Sequence, residues 1–342
     1  MTGSRSRVVV AAVAGASILG ALVTGCSSND HDEDVSSLAP ATVPQSPPAA
    51  STPAGSLYIV GRMIDSTTFD PVTRSVVVVT DERRTVLLLP TDDLDAPARE
   101  ITLDDAVASA SDAGDGTMLL AMNGQVARLD VATGRVDAVP VDGQVLAAAQ
   151  LSDGRVAAGL DNGEIHILDQ ESDSPQGEAE RITGLSGVDG LAVAGDTLTA
   201  LDRSQTSVTA VTVADGSLGL ALRAGDGASA LTSDHFDRVL VTDTLGDELL
   251  VYSTDELMLR QRFPTGGQPY AVAYDDSADR VWVTLPTTNE VVGYDLSTGV
   301  GVETARFPTV RQPNSLAVDA DGDLLIGSAT GDGLQRIPTG RS

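Results

Sequence analysis

Four aspartates that could bind a cation stand at one place of a repeated pattern: Asp81, Asp161, Asp202 and Asp243. Each follows an apolar, β-branched run and precedes a short polar turn. A ring of carboxylates built in this way could hold a cation or a basic partner. The alternative is that each carboxylate caps its own turn by accepting backbone N–H groups. Recurrence at a fixed position favours the second interpretation.

Other polar side chains in the same set of loops complete a candidate binding face. Arginines supply positive charge within an acidic surround, and amides supply both donors and acceptors. The further members of the face are Arg83, Arg84, Arg203, Gln268, Asn289, Arg311 and Asn314.

The sequence contains no recognisable catalytic set. His31 lies in an acidic tail, while His166 and His235 fall at opposite ends of different repeats, so a histidine-centred base or metal site is not expected. The segment Asp319–Asp323 superficially resembles a calcium loop but lacks the distal glutamate of an EF-hand, and a hairpin turn explains it. Trp282 alternates with valines, so we expect it in the core rather than as an exposed binding anchor.

The repeat itself predicts the fold. Its marker residues are Asp70, Asp112, Asp153, Gly195, Asp234, Asp275 and Asp319, at spacings of 42, 41, 42, 39, 41 and 44 residues. A steady period of about 40–45 residues is the size of a four-stranded propeller blade. The sequence therefore predicts an all-β, seven-bladed β-propeller over residues 55–342.

The last repeat lacks an outer strand, which predicts how the ring closes. It supplies apolar runs at 315–319, 323–328 and 333–337 and then ends. Residues 56–60, SLYIV, form an unassigned strand ahead of the first repeat. We expect this strand to complete the last blade, because the pairing removes an open sheet edge.

Two of the repeats resemble a known class. The runs QPYAVAYDDSADRVWVTLPTTNEVVGYDLSTG and QPNSLAVDADGDLLIGSATGDGLQRI are similar to the YVTN and NHL types of β-propeller repeat. This resemblance implies a seven-bladed propeller. It does not imply one activity, since such propellers include binding proteins, lactonases and lyases.

The net charge of the chain limits the classes of partner that we expect it to bind. The chain carries a formal charge of −28, and all 21 of its basic residues are arginines. Nucleic acid is therefore not an expected partner, because no basic patch is available to neutralise phosphates. The lysine-free usage, rich in Ala, Val and Asp, is typical of a GC-rich genome such as that of an actinobacterium.

The N-terminus predicts export and lipidation. Arg5 and Arg7 precede an apolar run at 8–23, and Val23-Thr24-Gly25-Cys26 resembles a bacterial lipobox. Cys26, the single cysteine, is the expected lipid acceptor on the outer face of the cytoplasmic membrane. Residues 1–25 are then the signal peptide, and residues 26–54, rich in Ser, Pro and acid, are expected to be a disordered tether.

These features predict a lipid-anchored binding or scaffold subunit of the cell envelope, without a cofactor and with binding favoured over catalysis. Its acidic loop face would hold an envelope protein or a small ligand. The alternative is a metal-dependent lactonase, similar to gluconolactonases, with a divalent ion on the axis. A sensor for a small extracytoplasmic ligand is a third interpretation.

Overall fold

Short runs of β-branched and apolar residues, such as SVVVVT at 75–80, form the strands of this protein. The structure is a computed structural model that describes residues 38–169 and 180–340. The strands are β1 (Ser56–Tyr58), β2 (Ile64–Asp70), β3 (Ser75–Thr80), β4 (Thr85–Pro90), β5 (Arg99–Thr102), β6 (Val107–Asp112), β7 (Thr117–Asp130), β8 (Val136–Gln150), β9 (Val156–Leu160), β10 (Ile165–Leu168), β11 (Glu180–Ile182), β12 (Gly190–Ala194), β13 (Thr197–Asp202), β14 (Ser207–Thr212), β15 (Ser217–Arg223), β16 (Ala228–Asp234), β17 (Arg238–Asp243), β18 (Glu248–Ser253), β19 (Met258–Pro264), β20 (Val272–Asp275), β21 (Arg280–Leu285), β22 (Glu290–Asp295), β23 (Val302–Pro308), β24 (Pro313–Val318), β25 (Leu324–Ser328) and β26 (Leu334–Ile337). A 3₁₀ helix spans Val213–Asp215. Within the described ranges, no helix has the length and apolar character needed to span a membrane.

The strands build a β-propeller around a central axis. One strand from each repeat faces the axis, and these inner strands contact one another in a closed ring: β2, β6, β8, β12, β16, β20, β24 and again β2. Each later strand of a repeat pairs antiparallel with the one before it, which extends the sheet outward from the axis. The connections between second and third strands, and between successive repeats, therefore lie at one end of the ring, which we call the loop face.

The described strands form six sheets, so the prediction of seven separate blades is wrong. Five sheets have four strands, and the sixth contains β6 to β11. In this six-stranded sheet, residues Gln125–Leu129 of β7 pair with the first part of β8, while Val145–Gln150 of β8 pair with β9.

The second and third repeats share one sheet because of a short connection within the second repeat. Its second and third runs are joined only by Asn123-Gly124, with Gly124 at φ 74°, so β7 continues through this tight connection. β8 likewise stays extended from the outer edge of the second repeat to the inner strand of the third. Longer polar turns separate the corresponding strands elsewhere, and the seven sequence repeats consequently give six sheets.

The ring closes as the sequence predicts. β1 pairs antiparallel with β26, with Ser56 opposite Arg336 and Tyr58 opposite Leu334. The strand ends at Tyr58 and is therefore shorter than the predicted 56–60. The side chain of Gln335 donates to the carbonyl of Ala54 at 2.7 Å, which holds the chain just before this strand. The N-terminal strand thus completes the last sheet.

Apolar side chains fill the spaces between neighbouring sheets. Trp282 is fully buried in one such cluster, together with Val291, Leu316 and Ile326. Its ring stacks on Phe307 with centroids 5.9 Å apart. The expected core role of Trp282 is confirmed.

Candidate binding face

Two of the four recurrent aspartates are buried loop anchors. Asp243 Oδ1 accepts the backbone N–H groups of Gly227 at 2.7 Å and Gly246 at 2.9 Å, and its Oδ2 accepts that of Asp226 at 2.9 Å. Asp243 is fully buried. Its carboxylate therefore ties the connection between two repeats to the turn that follows its own strand.

Asp202 repeats this arrangement one repeat earlier. Its Oδ2 accepts from the backbone N–H groups of Ser186 and Gly187 at 3.2 and 3.1 Å. Its Oδ1 accepts from the Ser204 hydroxyl at 2.7 Å and the Gln205 amide at 2.9 Å. Bonds of this kind favour the turn-capping interpretation for both residues.

Asp81 and Asp161 differ, because both are exposed. Asp81 forms an ion pair with Arg62 at 3.0 Å, and Asp161 lies at the turn between β9 and β10. The structure thus does not bring the four carboxylates into one ring.

The turn after β3 has an unusual backbone. Asp81, Glu82 and Arg83 are three consecutive exposed residues in the left-handed region, with φ of 55°, 57° and 67°. Residues other than glycine pay a free-energy cost in that region, and such strain persists only where the surroundings enforce it. Here the backbone N–H of Arg83 donates to Asp65 at 3.1 Å, and that of Arg84 donates to Thr80 at 3.1 Å.

The arginines of this turn reach toward the next repeat. Arg83 donates to the carbonyl of Ala108 at 2.8 Å, and Arg84 donates to the carbonyl of Asp104 at 2.7 Å. Arg84 also pairs with Asp105 at 3.3 Å. These bonds fix the position of the turn on the loop face, and both arginine side chains remain exposed.

Among the predicted residues, Gln268 and Arg311 lie in connections between repeats, and Asn314 lies near the start of β24. The backbone N–H of Gln268 donates to Asp247 at 2.8 Å, and Arg311 forms a two-point pair with Asp332 at 3.1 and 3.0 Å. That pairing lowers the pKa of Asp332. Asn314 donates to the carbonyl of Asp65 at 3.3 Å, and its Oδ1 is buried without a hydrogen bond.

The second part of the predicted tether makes contacts with the propeller. Residues 38–54 have no regular secondary structure but lie across the loop face as a strap. The amide of Leu38 donates to the carbonyl of Ser204 at 2.8 Å, and Arg203 donates to the carbonyl of Ala41, which is itself buried. Residues 26–37, with Cys26 and His31, lie outside the described residues, as does the signal peptide.

Gln312 and Asn289 hold the second half of the strap. Gln312 accepts from the amide of Ser46 at 3.0 Å and donates to the carbonyl of Pro44 at 2.7 Å. Asn289 donates to the carbonyl of Pro47 at 3.0 Å. Two predicted face residues, Arg203 and Asn289, are therefore engaged by the chain's own N-terminal segment.

Composition alone could not reveal the strap. Ser- and Pro-rich segments bury too little apolar surface to fold alone. A preformed surface can still hold them, because an extended chain presents carbonyls that side-chain amides and guanidinium groups can bond. Gln312, which the sequence did not single out, makes more of these bonds than any other residue of the loop face.

Replacing Gln312 with Ala should release the strap while leaving the propeller folded. Two hydrogen bonds, each worth about 1 kcal/mol, are lost. We expect the amide of Ser46 to exchange with deuterium roughly tenfold faster or more. Gln150→Ala, which removes a bond to the Gly154 carbonyl far from the strap, is the control. Equal exchange at Ser46 in both variants would contradict the assigned contacts.

The remaining candidate motifs are structural turns and ion pairs. Asp319 accepts the backbone N–H groups of Asp321 and Asp323, both at 2.9 Å, as in a hairpin turn. His166 pairs with Glu164 at 2.8 Å and His235 with Asp276 at 3.0 Å. Within 38–169 and 180–340, no three His, Cys, Asp or Glu side chains are grouped so that they could hold a metal ion.

Solved structures with the same architecture come from functionally unrelated proteins. Hydrazine synthase from Kuenenia stuttgartiensis matches with a TM-score of 0.69 at 14% identity, covering 86% of this chain and 99% of that one. Virginiamycin B lyase from Staphylococcus aureus matches at 0.65 and 13% identity, covering 82% and 96%. The Cps50 (Swd1) propeller domain of Myceliophteria thermophila matches at 0.67 and 13%, covering 83% and 100%.

These likenesses establish the β-propeller fold and nothing further, because identity is low throughout. No protein-family model matches the chain, and no curated protein matches it in sequence.

Proposed function

We propose that this protein is a lipid-anchored binding or scaffold subunit on the outer face of the cytoplasmic membrane. Its loop face would hold a protein of the cell envelope or a small ligand. The lipobox-like sequence at Cys26 supports the anchor, and the β-propeller fold is consistent with a binding role. Propellers commonly use one end of the ring as a binding surface.

The strained turn at 81–83 is the observation that carries the proposal. Three left-handed, non-glycine residues in succession cost of order 1–3 kcal/mol each. The turn is exposed, so its conformation serves no core packing. Strain that is retained at a surface is a signature of a binding or switching site.

The part of the loop face that carries this turn is free of the strap. The strap's hydrogen bonds reach the connections around Arg203, Pro286, Asn289 and Gln312. Arg83, Arg84 and Asp161 lie outside those contacts and remain exposed. A partner that carries carboxylates or backbone carbonyls could meet the two guanidinium groups.

A crosslinking pull-down from intact cell envelope tests this function. Wild-type protein should recover a reproducible partner and fractionate with membranes, whereas Cys26→Ser should release the protein to the soluble fraction. An Arg83→Ala, Arg84→Ala double variant should lose the partner while keeping the membrane association. Arg135→Ala, at an exposed turn on the opposite end of the strands, is the matched control.

Two results would overturn the proposal. One is recovery of no partner above that seen with the lipidated tether alone. The other is an unchanged membrane fraction after Cys26→Ser.

A further inference from the structure

A second candidate site lies at the opposite end of the axis. There the inner strands β2, β6, β16, β20 and β24 end around a cavity of about 560 Å³. This is within the range of ligand pockets, roughly 300–1,000 Å³. Its wall combines apolar side chains, such as Phe69, Leu231 and Leu316, with polar ones, such as Thr232 and several aspartates. Among the described residues that line it, none is Arg or His.

Asp112 of β6 also lines this cavity, and it differs from its counterparts in the other repeats. Its Oδ1 accepts the backbone N–H of Gly114 at 3.0 Å, and among the described residues it has no second hydrogen-bond donor and no ion-pair partner. The turn that follows, Ala113-Gly114-Asp115-Gly116, supplies no side-chain donor to it.

The equivalent aspartates each have more partners within their own repeats; Asp275, which also lines the cavity, accepts from the amide and hydroxyl of Ser277 and from the amide of Ala278. Asp70 accepts from the amides of Val72 and Thr73 and from the Thr73 hydroxyl. Asp234 pairs with Arg238 at 2.6 Å, and Asp319 pairs with Arg336 at 3.0 Å in addition to its turn. Among the described marker aspartates, Asp112 thus has the fewest partners, one backbone N–H and no cation, and its carboxylate keeps capacity for an external donor.

The free energy of the Asp112 carboxylate is raised when it lacks further donors, because it is half-buried and lies near other carboxylates. Burial raises the pKa of Asp112, and the nearby Asp70 and Asp115 raise it further. A half-buried carboxylate with a single hydrogen-bond donor therefore faces a cavity whose described lining residues include no Arg or His.

We propose that Asp112 binds the ammonium group of a small organic amine inside this cavity. The amine would donate charge-assisted hydrogen bonds to the free oxygen of Asp112. Its apolar body would lie against Phe69, Leu231 and Leu316, and a polar group on it could reach Thr232. This site is separate from the loop face, and the inference does not depend on the function proposed for that face.

Calorimetry with a matched pair of probes tests the inference. We expect the full chain to bind 2-phenylethylamine with one site, and to bind 2-phenylethanol, its uncharged analogue, at least tenfold more weakly. Asp112→Asn should weaken the amine roughly tenfold to a hundredfold and leave the alcohol unchanged. Asn can still accept from Gly114, so the fold should be kept.

Asp115→Asn is the control for the acidic surface. It removes the same formal charge one turn away, from a side chain that is 57% exposed and pairs with Arg128 at 3.7 Å. This variant should bind the amine as wild type does. Ala110→Leu, which fills part of the cavity and leaves every charge in place, should weaken both probes.

Each contrary outcome would overturn the inference. Absence of amine binding to wild type would do so, as would equal affinity for amine and alcohol. A loss in Asp115→Asn equal to that in Asp112→Asn would show binding to the general negative surface instead. Unchanged amine affinity in Ala110→Leu would place the bound amine outside the cavity.

Discussion

Deleting residues 55–61 lowers the melting temperature of the propeller by roughly 5–10 °C. The deletion removes β1, the outer strand of the last sheet, and with it the packing of Tyr58 and Val60 against the core. Lost ladder hydrogen bonds and lost apolar burial together cost about 3–5 kcal/mol. In a chain of this size each kcal/mol shifts the midpoint by about 2 °C. Thermal unfolding followed by circular dichroism measures the effect.

Two neighbouring glycines provide a point-mutation test of the same closure. A Cβ added at Gly333 would lie 2.3 Å from the carbonyl oxygen of Tyr58, whereas one added at Gly331 meets nothing nearer than 3.9 Å. Both have positive φ, at 117° and 83°, so both substitutions strain the backbone. Gly333→Ala should therefore destabilise the protein more than Gly331→Ala. If the deletion melts like wild type, or the two alanine variants melt alike, the closure does not contribute to stability.

Replacing Asp243 with Ala destabilises the protein by about 3–5 kcal/mol, because three backbone N–H groups lose their acceptor in a buried place. Asp243→Asn keeps one carbonyl oxygen and should have an intermediate effect. Chemical denaturation measures the loss in the free energy of unfolding.

Asp161→Ala is the matched control, since Asp161 occupies the equivalent position but is exposed. Surface substitutions of this kind usually change stability by no more than about 0.5 kcal/mol. Equal losses in Asp243→Ala and Asp161→Ala would refute the assignment of Asp243 as a loop anchor.

The sequence predicted most of the fold because the repeat encodes it locally. Each repeat alternates apolar runs with turn residues, and the missing strand after Ile337 required an outside partner, which β1 supplies. The number of sheets was not predictable in the same way. It depends on whether a short link such as Asn123-Gly124 interrupts hydrogen bonding, and a repeat count does not contain that information.

The candidate sites were less predictable, for a physical reason. Asp81 and Asp243 occupy equivalent positions, yet one is exposed and one is buried, because burial depends on loops from the neighbouring repeat. Asp112 can accept further hydrogen bonds because the turn that follows it supplies no side-chain donor. Periodicity shows what the repeats share, whereas these differences emerge only when the strands are placed in space.

The order of contacts along the N-terminal segment has a mechanical consequence. Tension applied to the chain before Leu38 first loads the hydrogen bonds at Ser204 and Arg203 and then those at Gln312. The load reaches Ala54 and the β1–β26 ladder only after the strap has peeled away. Residues 38–54 therefore detach first, so that a pulling force lengthens the chain before it separates β1 from β26 and opens the propeller.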